Sequence, residues 1–254
     1  MAELSTGHPA VFHHVPRCGG TSVARAFRAR YALSQVALNA RAAARVAAHN
    51  RSNLDDETAL AETRRFRDEL LLYFLHSNVK WISGHMRFSP SAYEQFHDRY
   101  RFITVLRDPV QRYLSDYGKN FGKETATATS LPLGAYLDTV QGQSRGCVFT
   151  EYFSGLPADA DFRTDEAIEL ALEHLTKFDV VGYTDDMSQF GKSVSKALGV
   201  RVMVGHENKR SNADVQQSSQ LSDAEMQKLH AVCASDIRVY EAMRETLRAR
   251  SAAG

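Results

Sequence analysis

Short apolar runs alternate with segments of helical periodicity along the chain. Residues 10–12, 80–83, 101–106 and 178–182 have the length and residue types of buried strands. Segments between them repeat apolar residues every three or four positions, as in residues 54–77, and this spacing predicts amphipathic helices. Strands that alternate with helices predict an α/β fold in three layers, with a central, mainly parallel sheet flanked by helices.

The same patterns predict the remaining elements. Further helices are predicted to begin at Thr21, Pro90 and Pro109. Other helices are predicted to cover residues 131–140, 147–153, 164–177 and 187–198. Residues 32–53 are predicted to be helical pieces and loop, and residues 200–204 a last strand. Residues 122–130 and 205–221 are predicted to be polar loops, and the length of the second indicates a role in binding a ligand. A capping box at residues 222–225 predicts a final amphipathic helix.

The residues after the first predicted strand are those of a phosphate-binding loop. In residues 13–22, a proline ends the strand, Gly19 frees the backbone, and Thr21 and Ser22 begin a helix. The N–H groups of a first helical turn bind anions, and Arg17 and the two hydroxyls add donors. The loop lacks the GK[ST] sequence of loops that cleave ATP. From this segment alone, an ordinary strand-to-helix turn with a hydroxyl cap is the alternative.

A second candidate anion site follows the predicted strand at residues 101–106. Arg107 comes directly after this strand, and ligands of open α/β sheets bind at the carboxyl ends of the strands. Ser115 lies two turns into the next helix, and its side chain is predicted to lie on the same side as the start of that helix. Arg107 and Ser115 are therefore placed to bind one phosphate. A surface ion pair for Arg107 and an ordinary helix serine are the alternatives. Asp108 precedes a proline and is predicted to be a helix N-cap.

Composition and charge restrict the classes of protein and ligand. The chain has 254 residues, 43% hydrophobic and 24% charged, which is typical of a soluble globular protein with one large domain. Its net charge of +1 argues against a nucleic acid as partner. The three cysteines, Cys18, Cys147 and Cys233, lie far apart, and this spacing predicts neither disulfides nor a zinc site. With no predicted signal peptide or membrane span, we expect a cytoplasmic protein.

Three segments carry ordered motifs. Residues 14–22 read HVPRCGGTS, residues 83–88 read SGHMRF, and residues 107–117 read RDPVQRYLSDY. Together they resemble the motifs H-x-P-K-x-G-G-T-S, G-H and R-D-P-x-x-R-x-x-S-x-Y of the sulfotransferases that use 3′-phosphoadenosine 5′-phosphosulfate. The resemblance is strongest to the branch with carbohydrate 2-O-type enzymes and bacterial proteins. It runs from about Val11 to about Tyr240, with Asp185 in place of the glutamate of the family's V-G-x-T-E segment.

The resemblance implies a P-loop-like fold and 3′-phosphoadenosine 5′-phosphosulfate as the donor. The residues implied to bind its 5′-phosphosulfate are Arg17, Cys18, Gly19, Gly20, Thr21 and Ser22. Arg107 and Ser115 are implied to bind its 3′-phosphate. Lys209, Arg210 and Ser211 are expected to close over the same end of the nucleotide, with a solvated connection as the alternative for their loop.

The resemblance also implies the chemistry of the site. His85 is expected to be the general base that takes the acceptor's proton, while Arg17 stabilises charge on the leaving phosphate without a metal ion. Arg17 stands where the family usually has lysine, so it retains the charge but does not donate a proton. Cys18 is expected to be a small buried filler and not a reactive thiol. His13 and His14 are expected to be strand-end residues that face opposite sides of the sheet.

The expected acceptor is a hydroxyl of a carbohydrate, a glycolipid, an acyl chain or a small natural product. We expect one domain over residues 1–254, with helical insertions at about 32–77 and 122–177 that shape the acceptor site. The oligomeric state is left open. Two alternatives to a sulfotransferase are a non-catalytic nucleotide-binding relative and a kinase-like phosphotransferase, although the missing GK[ST] argues against the kinase.

Overall fold

A computed structural model describes residues 7–28, 30–50, 56–122, 129–202, 204 and 221–253. Within these residues, the central sheet has five strands: β1 (Ala10–His13), β2 (Gln35–Leu38), β3 (Trp81–Gly84), β4 (Arg101–Leu106) and β5 (Val180–Tyr183). The strands are all parallel in the order β2-β3-β1-β4-β5. The predicted parallel sheet is confirmed, and β1 lies at its centre.

Helices connect the strands and follow the last of them. They are α1 (Gly20–Arg28), α2 (Ala40–Asn50), α3 (Asp56–His76), α4 (Pro90–Phe96), α5 (Pro109–Asn120), α6 (Leu133–Tyr136), α7 (Val140–Ser144), α8 (Val148–Phe153), α9 (Asp165–Thr176), α10 (Met187–Leu198), α11 (Asp223–Val232) and α12 (Ala234–Ala253). The capping box of Ser222 and Glu225 begins α11 as predicted.

The two faces of the sheet bury separate apolar cores. Alternate strand residues such as Val11 and Phe102 pack against α3, α4, α8, α9 and α12 on one face. Their neighbours, such as Phe12 and Ile103, pack against α1 and α10 on the other. This arrangement confirms the predicted layers of helix, sheet and helix.

Two sequence predictions about strands are wrong. Residues 32–53 contain α2, as the predicted helical piece, but also the edge strand β2, in which Gln35 and Ala37 are exposed and Leu38 is buried, unlike a strand covered on both faces. Val200–Val202 do not form a strand, although Val200 and Val202 are buried. The Ser195 hydroxyl bonds both the N–H and the carbonyl of Val202, at 2.9 and 3.3 Å, and so takes the place of a neighbouring strand.

Two predicted helices are interrupted. The helix expected over residues 131–140 is divided into α6 and α7, because Thr139 caps a new helix through the N–H of Gly142. The final amphipathic helix is divided into α11 and α12 at Cys233, whose backbone leaves helical geometry at φ −90° and ψ 5°. Both interruptions lie beside α5, whose Tyr113, Leu114 and Tyr117 share an apolar cluster with α6 and α11.

Candidate active site

The three sequence motifs meet at one edge of the sheet. His13, the last residue of β1, lies opposite Gly84 of β3 and Thr104 of β4. Because the strands are parallel, their carboxyl ends point to the same edge, and each is followed there by one motif. β1 leads into residues 14–22, which we call the phosphate loop. β3 leads into His85, and β4 leads into Arg107 and α5.

The phosphate loop has a strained backbone. Arg17 and Gly19 both adopt left-handed conformations, with φ of 68° and 73°. For a residue other than glycine, this conformation costs on the order of 1 kcal/mol or more and is often found where a binding loop is held in shape. The N–H of Ser22 then bonds the Gly19 carbonyl at 3.1 Å as α1 begins. Thr21 is exposed and Ser22 is half-buried, so the start of the helix is accessible.

Arg17 and Ser115 are in direct contact. Nε and Nη2 of Arg17 donate to Oγ of Ser115 at 3.0 and 2.7 Å. Nη1 of Arg107 donates to the backbone carbonyl of Arg17 at 3.4 Å. The sequence assigned Arg17 to one end of a nucleotide and Ser115 to the other, whereas the fold brings two guanidinium groups and a hydroxyl into a single cluster. Such a cluster is suited to bind phosphate.

Asp108 has the structural role that the sequence predicts. Its carboxylate accepts the N–H of Gln111 at 2.8 Å and caps the start of α5. The cap begins the helix directly after Arg107 and so sets the direction in which α5 carries Ser115 back toward the phosphate loop.

His85 is held in one tautomer. Its Nδ1 lies 2.7 Å from the backbone carbonyl of His14. A carbonyl only accepts hydrogen bonds, so Nδ1 carries the proton and Nε2 retains its lone pair. Burial lowers the pKa of His85, and the positive charges of Arg67 and Lys119 lower it further, although the bond to His14 and the charge of Asp116 oppose them. His85 is therefore neutral near pH 7.

Two cations beside His85 were not identified from the sequence. Arg67 of α3 donates from Nη1 to the backbone carbonyl of His85 at 3.4 Å. Lys119 of α5 is close enough to affect the pKa of both His85 and His14. Lys119 lies four residues after Ser115, so helical spacing places the two on one side of α5. No local pattern indicates Arg67, because its position depends on how α3 packs.

The two histidines at the end of β1 face opposite sides, as predicted. His13 is fully buried among Phe88, Phe102 and Phe178, and burial lowers its pKa to about 4. His14 lies on the side of the phosphate loop and of His85, with its ring centroid 4.5 Å from that of His85.

Cys18 and the residues of the 205–221 loop are the other predicted site residues. The Cys18 thiol is buried in the apolar core, where burial raises its pKa to about 12. This agrees with a filler and not with a reactive thiol. Lys209, Arg210 and Ser211 lie outside the described residues.

A buried ion pair ties α5 to the rest of the fold. Arg112 lies 4.0 Å from Oδ2 of Asp236, and both side chains are fully buried. The other oxygen of Asp236 accepts the N–H groups of Phe149 and Thr150 at 2.8 and 3.3 Å, while Arg112 donates to the carbonyl of Arg145. Burial raises the pKa of Asp236 to about 7 against the opposing charge of Arg112. The pair fixes the helix that carries Ser115.

We expect Gly20→Ala to disrupt the phosphate loop. A Cβ at this position would lie 1.9 Å from Nε2 of His14, so the ring or the loop must move. Overpacking of this kind costs about 1–3 kcal/mol of unfolding free energy, and movement of the loop should weaken anion binding. Urea unfolding and calorimetry with adenosine 3′,5′-bisphosphate measure the two effects.

Gly191→Ala is the matched control for Gly20→Ala. A Cβ at Gly191, within α10, would lie no closer than 3.8 Å to the neighbouring atoms. Alanine there should change the unfolding free energy by no more than about 1 kcal/mol and leave binding unchanged. Gly20→Ala with the stability and affinity of the wild type would contradict the packing described for His14.

Comparison with known proteins identifies the family. A model of the sulfotransferase family matches residues 4–241. The chain belongs to this family. No curated protein matches the sequence. Among solved structures, a chain from the PezAT chromosomal toxin-antitoxin system of the human pathogen Streptococcus pneumoniae is similar over 92% of this chain and 87% of that chain, with 13% identity and a TM-score of 0.36.

The described part of the sulfotransferase chain shows neither a metal site nor a membrane span. Within those residues, no group of three or more His, Cys, Asp and Glu side chains is arranged to hold a metal ion. No described helix has the length and apolar character needed to cross a membrane.

Proposed function

We propose that the protein transfers a sulfuryl group from 3′-phosphoadenosine 5′-phosphosulfate to an acceptor hydroxyl. The observation that carries this proposal is the bidentate contact of Arg17 with Ser115, which are 98 positions apart in the chain. It joins the phosphate loop to the R-D-P motif, so that the groups proposed to bind the two ends of the donor are neighbours. An ATP-cleaving loop would instead have the lysine of GK[ST] after its glycines.

The residues present fit the two charged ends of this donor. Arg107 and the Ser115 hydroxyl would bind the 3′-phosphate, which ATP lacks. The N–H groups of residues 19–22 and the guanidinium of Arg17 would bind the 5′-phosphosulfate at the start of α1. The Arg17 side chain, which bonds Ser115, would lie between these two ends.

Transfer breaks the bond between sulfur and the oxygen bridging it to phosphorus and forms a bond between sulfur and the acceptor oxygen. The leaving group is adenosine 3′,5′-bisphosphate, and Arg17 and the loop N–H groups would stabilise the charge that develops on it. Nε2 of His85 would take the acceptor's proton, since the bond of Nδ1 to His14 leaves Nε2 unprotonated. These cationic and N–H donors neutralise the phosphate, so we propose a transfer that needs no metal ion.

The acceptor is proposed to be a hydroxyl compound among carbohydrates, glycolipids, acyl chains and small natural products. Segments at about 32–77 and 122–177 would shape its site within one domain. Arg67 of α3, which contacts the backbone beside the proposed base, supports a contribution from the first segment. We propose a cytoplasmic location, because the three cysteines are free and buried, as in a reducing compartment.

Thermal stabilisation tests the proposed donor. Adenosine 3′,5′-bisphosphate at a hundred times its dissociation constant should add about 2.7 kcal/mol to the unfolding free energy. ATP with magnesium should add much less, because it lacks a 3′-phosphate. Stabilisation by ATP with magnesium and none by the bisphosphate would favour a kinase-like enzyme and contradict the proposal.

Arg107→Ala and Ser115→Ala should selectively weaken binding of the 3′-phosphate. Each variant should lose about 1.5–3 kcal/mol of affinity for adenosine 3′,5′-bisphosphate, since a charge-assisted hydrogen bond is removed. Affinity for adenosine 5′-phosphate should fall much less. Calorimetry with both nucleotides measures the difference, and Gln111→Ala, an exposed position on α5, is the control. Equal losses for the two nucleotides would mean that these residues support the fold without contacting the 3′-phosphate.

A further inference from the structure

The parallel register of β1 and β3 places His14 and His85 side by side. His13 lies opposite Gly84, so the next residue of each strand leaves the sheet at the same level. The N–H of His14 donates to the carbonyl of Gly84 at 2.9 Å, and its carbonyl accepts Nδ1 of His85 at 2.7 Å. The backbone of His14 is therefore fixed on both sides by the segment that carries the proposed base.

The His14 imidazole contacts three groups. Its ring lies 4.5 Å from the His85 ring at an angle of 32° and 5.7 Å from the Phe12 ring at 15°. Its Nε2 edge faces Gly20, where even a methyl group would overlap with it. The ring thus lies between the first residue of α1, where the donor is proposed to bind, and His85. It has little room to move.

The His14 ring is uncharged. Burial lowers its pKa to about 3, and the charge of Lys119, like that of His85 when His85 is protonated, acts in the same direction. Several groups face His85: the ring and carbonyl of His14 at the end of β1, Arg67 on α3, and Lys119 and Asp116 on α5. Of these, the His14 ring is uncharged and lies against the His85 ring.

We propose that His14 is a positioning residue of sulfuryl transfer, whose imidazole holds the His85 ring against the phosphate loop and keeps water from one of its faces. This inference rests on the proposed function, because it assigns His85 as the base. His14 does not exchange a proton in this proposal. It acts by packing, since an uncharged ring beside the base disfavours the imidazolium form until the acceptor's proton arrives.

His14→Ala should change the chemical step and not donor binding. Water would enter the space left by the ring, and the pKa of His85 should rise toward 6.5. His85 must be unprotonated to act as the base, so the acid limb of the pH–rate profile should move to higher pH. Turnover should fall about tenfold to a hundredfold, as expected for a misplaced reacting group, while the donor KM stays close to that of the wild type.

His14→Leu separates packing from proton transfer. Leucine fills a similar volume without a nitrogen atom, so it should return the pKa of His85 and most of the turnover to near the wild-type values. A leucine variant that behaves like the alanine variant would overturn the proposal, because the nitrogen atoms would then be needed. His97→Ala is the control for loss of a histidine, because the His97 side chain is exposed.

NMR titration of the His85 ring is the deciding experiment. Its signal is assigned by its loss in His85→Asn, and its pKa is measured in the wild type, His14→Ala and His14→Leu. A raised pKa in the alanine variant alone is expected. An unchanged pKa together with wild-type turnover in His14→Ala would overturn the proposal. The titration needs no substrate, so it tests the packing of His14 against His85 whether or not the protein is active. Absence of sulfuryl transfer by the wild type would contradict the proposed function and not the packing.

Discussion

Replacing His85 with asparagine is expected to lower the rate of sulfuryl transfer at least about a hundredfold and to leave donor affinity close to that of the wild type. The side-chain amide of asparagine can still donate to the His14 carbonyl in place of Nδ1, but it has no atom at the position of Nε2. The substitution therefore removes the base and retains the contact that orders the chain. Single-turnover transfer and calorimetry with adenosine 3′,5′-bisphosphate measure the two quantities.

His97→Asn is the matched control, because His97 is exposed at the end of α4. It should match the wild type in both assays. Wild-type turnover in His85→Asn would exclude His85 as the base. A large loss of donor affinity in that variant would instead place His85 in the nucleotide site.

Arg17→Ala is expected to lose both donor affinity and turnover, and Arg17→Lys to bind the donor but transfer slowly. Loss of charge-assisted bonds should weaken donor binding by about 1.5–3 kcal/mol. Lysine keeps the charge, but it lacks the rigid fork through which Nε and Nη2 of Arg17 both donate to Oγ of Ser115. The buried thiol of Cys18 does not share this role, so the guanidinium is the main side-chain donor on its side of the loop.

Single-turnover transfer by the wild type, Arg17→Lys and Arg17→Ala, with and without a chelator, tests the role of Arg17. Arg25→Ala removes an exposed arginine from α1 and controls for the loss of one positive charge. The chelator should have no effect on any of them. An alanine variant as fast as the wild type, or activity that vanishes with the chelator, would contradict the role given to Arg17.

The sheet and the location of the site follow from the sequence because both depend on local patterns. The apolar runs at residues 101–106 and 178–182 predict buried strands, and glycines or an Asp-Pro pair after a strand mark its carboxyl end. In a parallel sheet these ends share one edge, so the motifs were expected to meet. The edge strand β2 could not be predicted in this way, since it is only four residues long and two of them are exposed.

The contacts within the site depend on packing, which a single sequence does not show. Arg17 and Ser115 were assigned to opposite ends of a nucleotide, and only the direction of α5 shows that their side chains meet. Arg67 contacts the backbone of His85 because of how α3 lies on the sheet. The strand predicted at residues 200–204 was wrong for a similar reason, since the Ser195 hydroxyl bonds Val202 in place of a strand.

Transfer from a donor labelled with radioactive sulfur to a panel of hydroxyl compounds tests the central claim most directly. The panel should include carbohydrates, glycolipids, hydroxylated acyl chains and small natural products. His85→Asn is assayed in parallel as the control protein, and ATP labelled in its γ-phosphate as the control donor. We predict a labelled sulfate ester and an equal amount of adenosine 3′,5′-bisphosphate with the wild type, and at least about a hundredfold slower formation of both with His85→Asn. Transfer of the γ-phosphate of ATP to an acceptor, with no sulfuryl transfer to any of them, would contradict the claim.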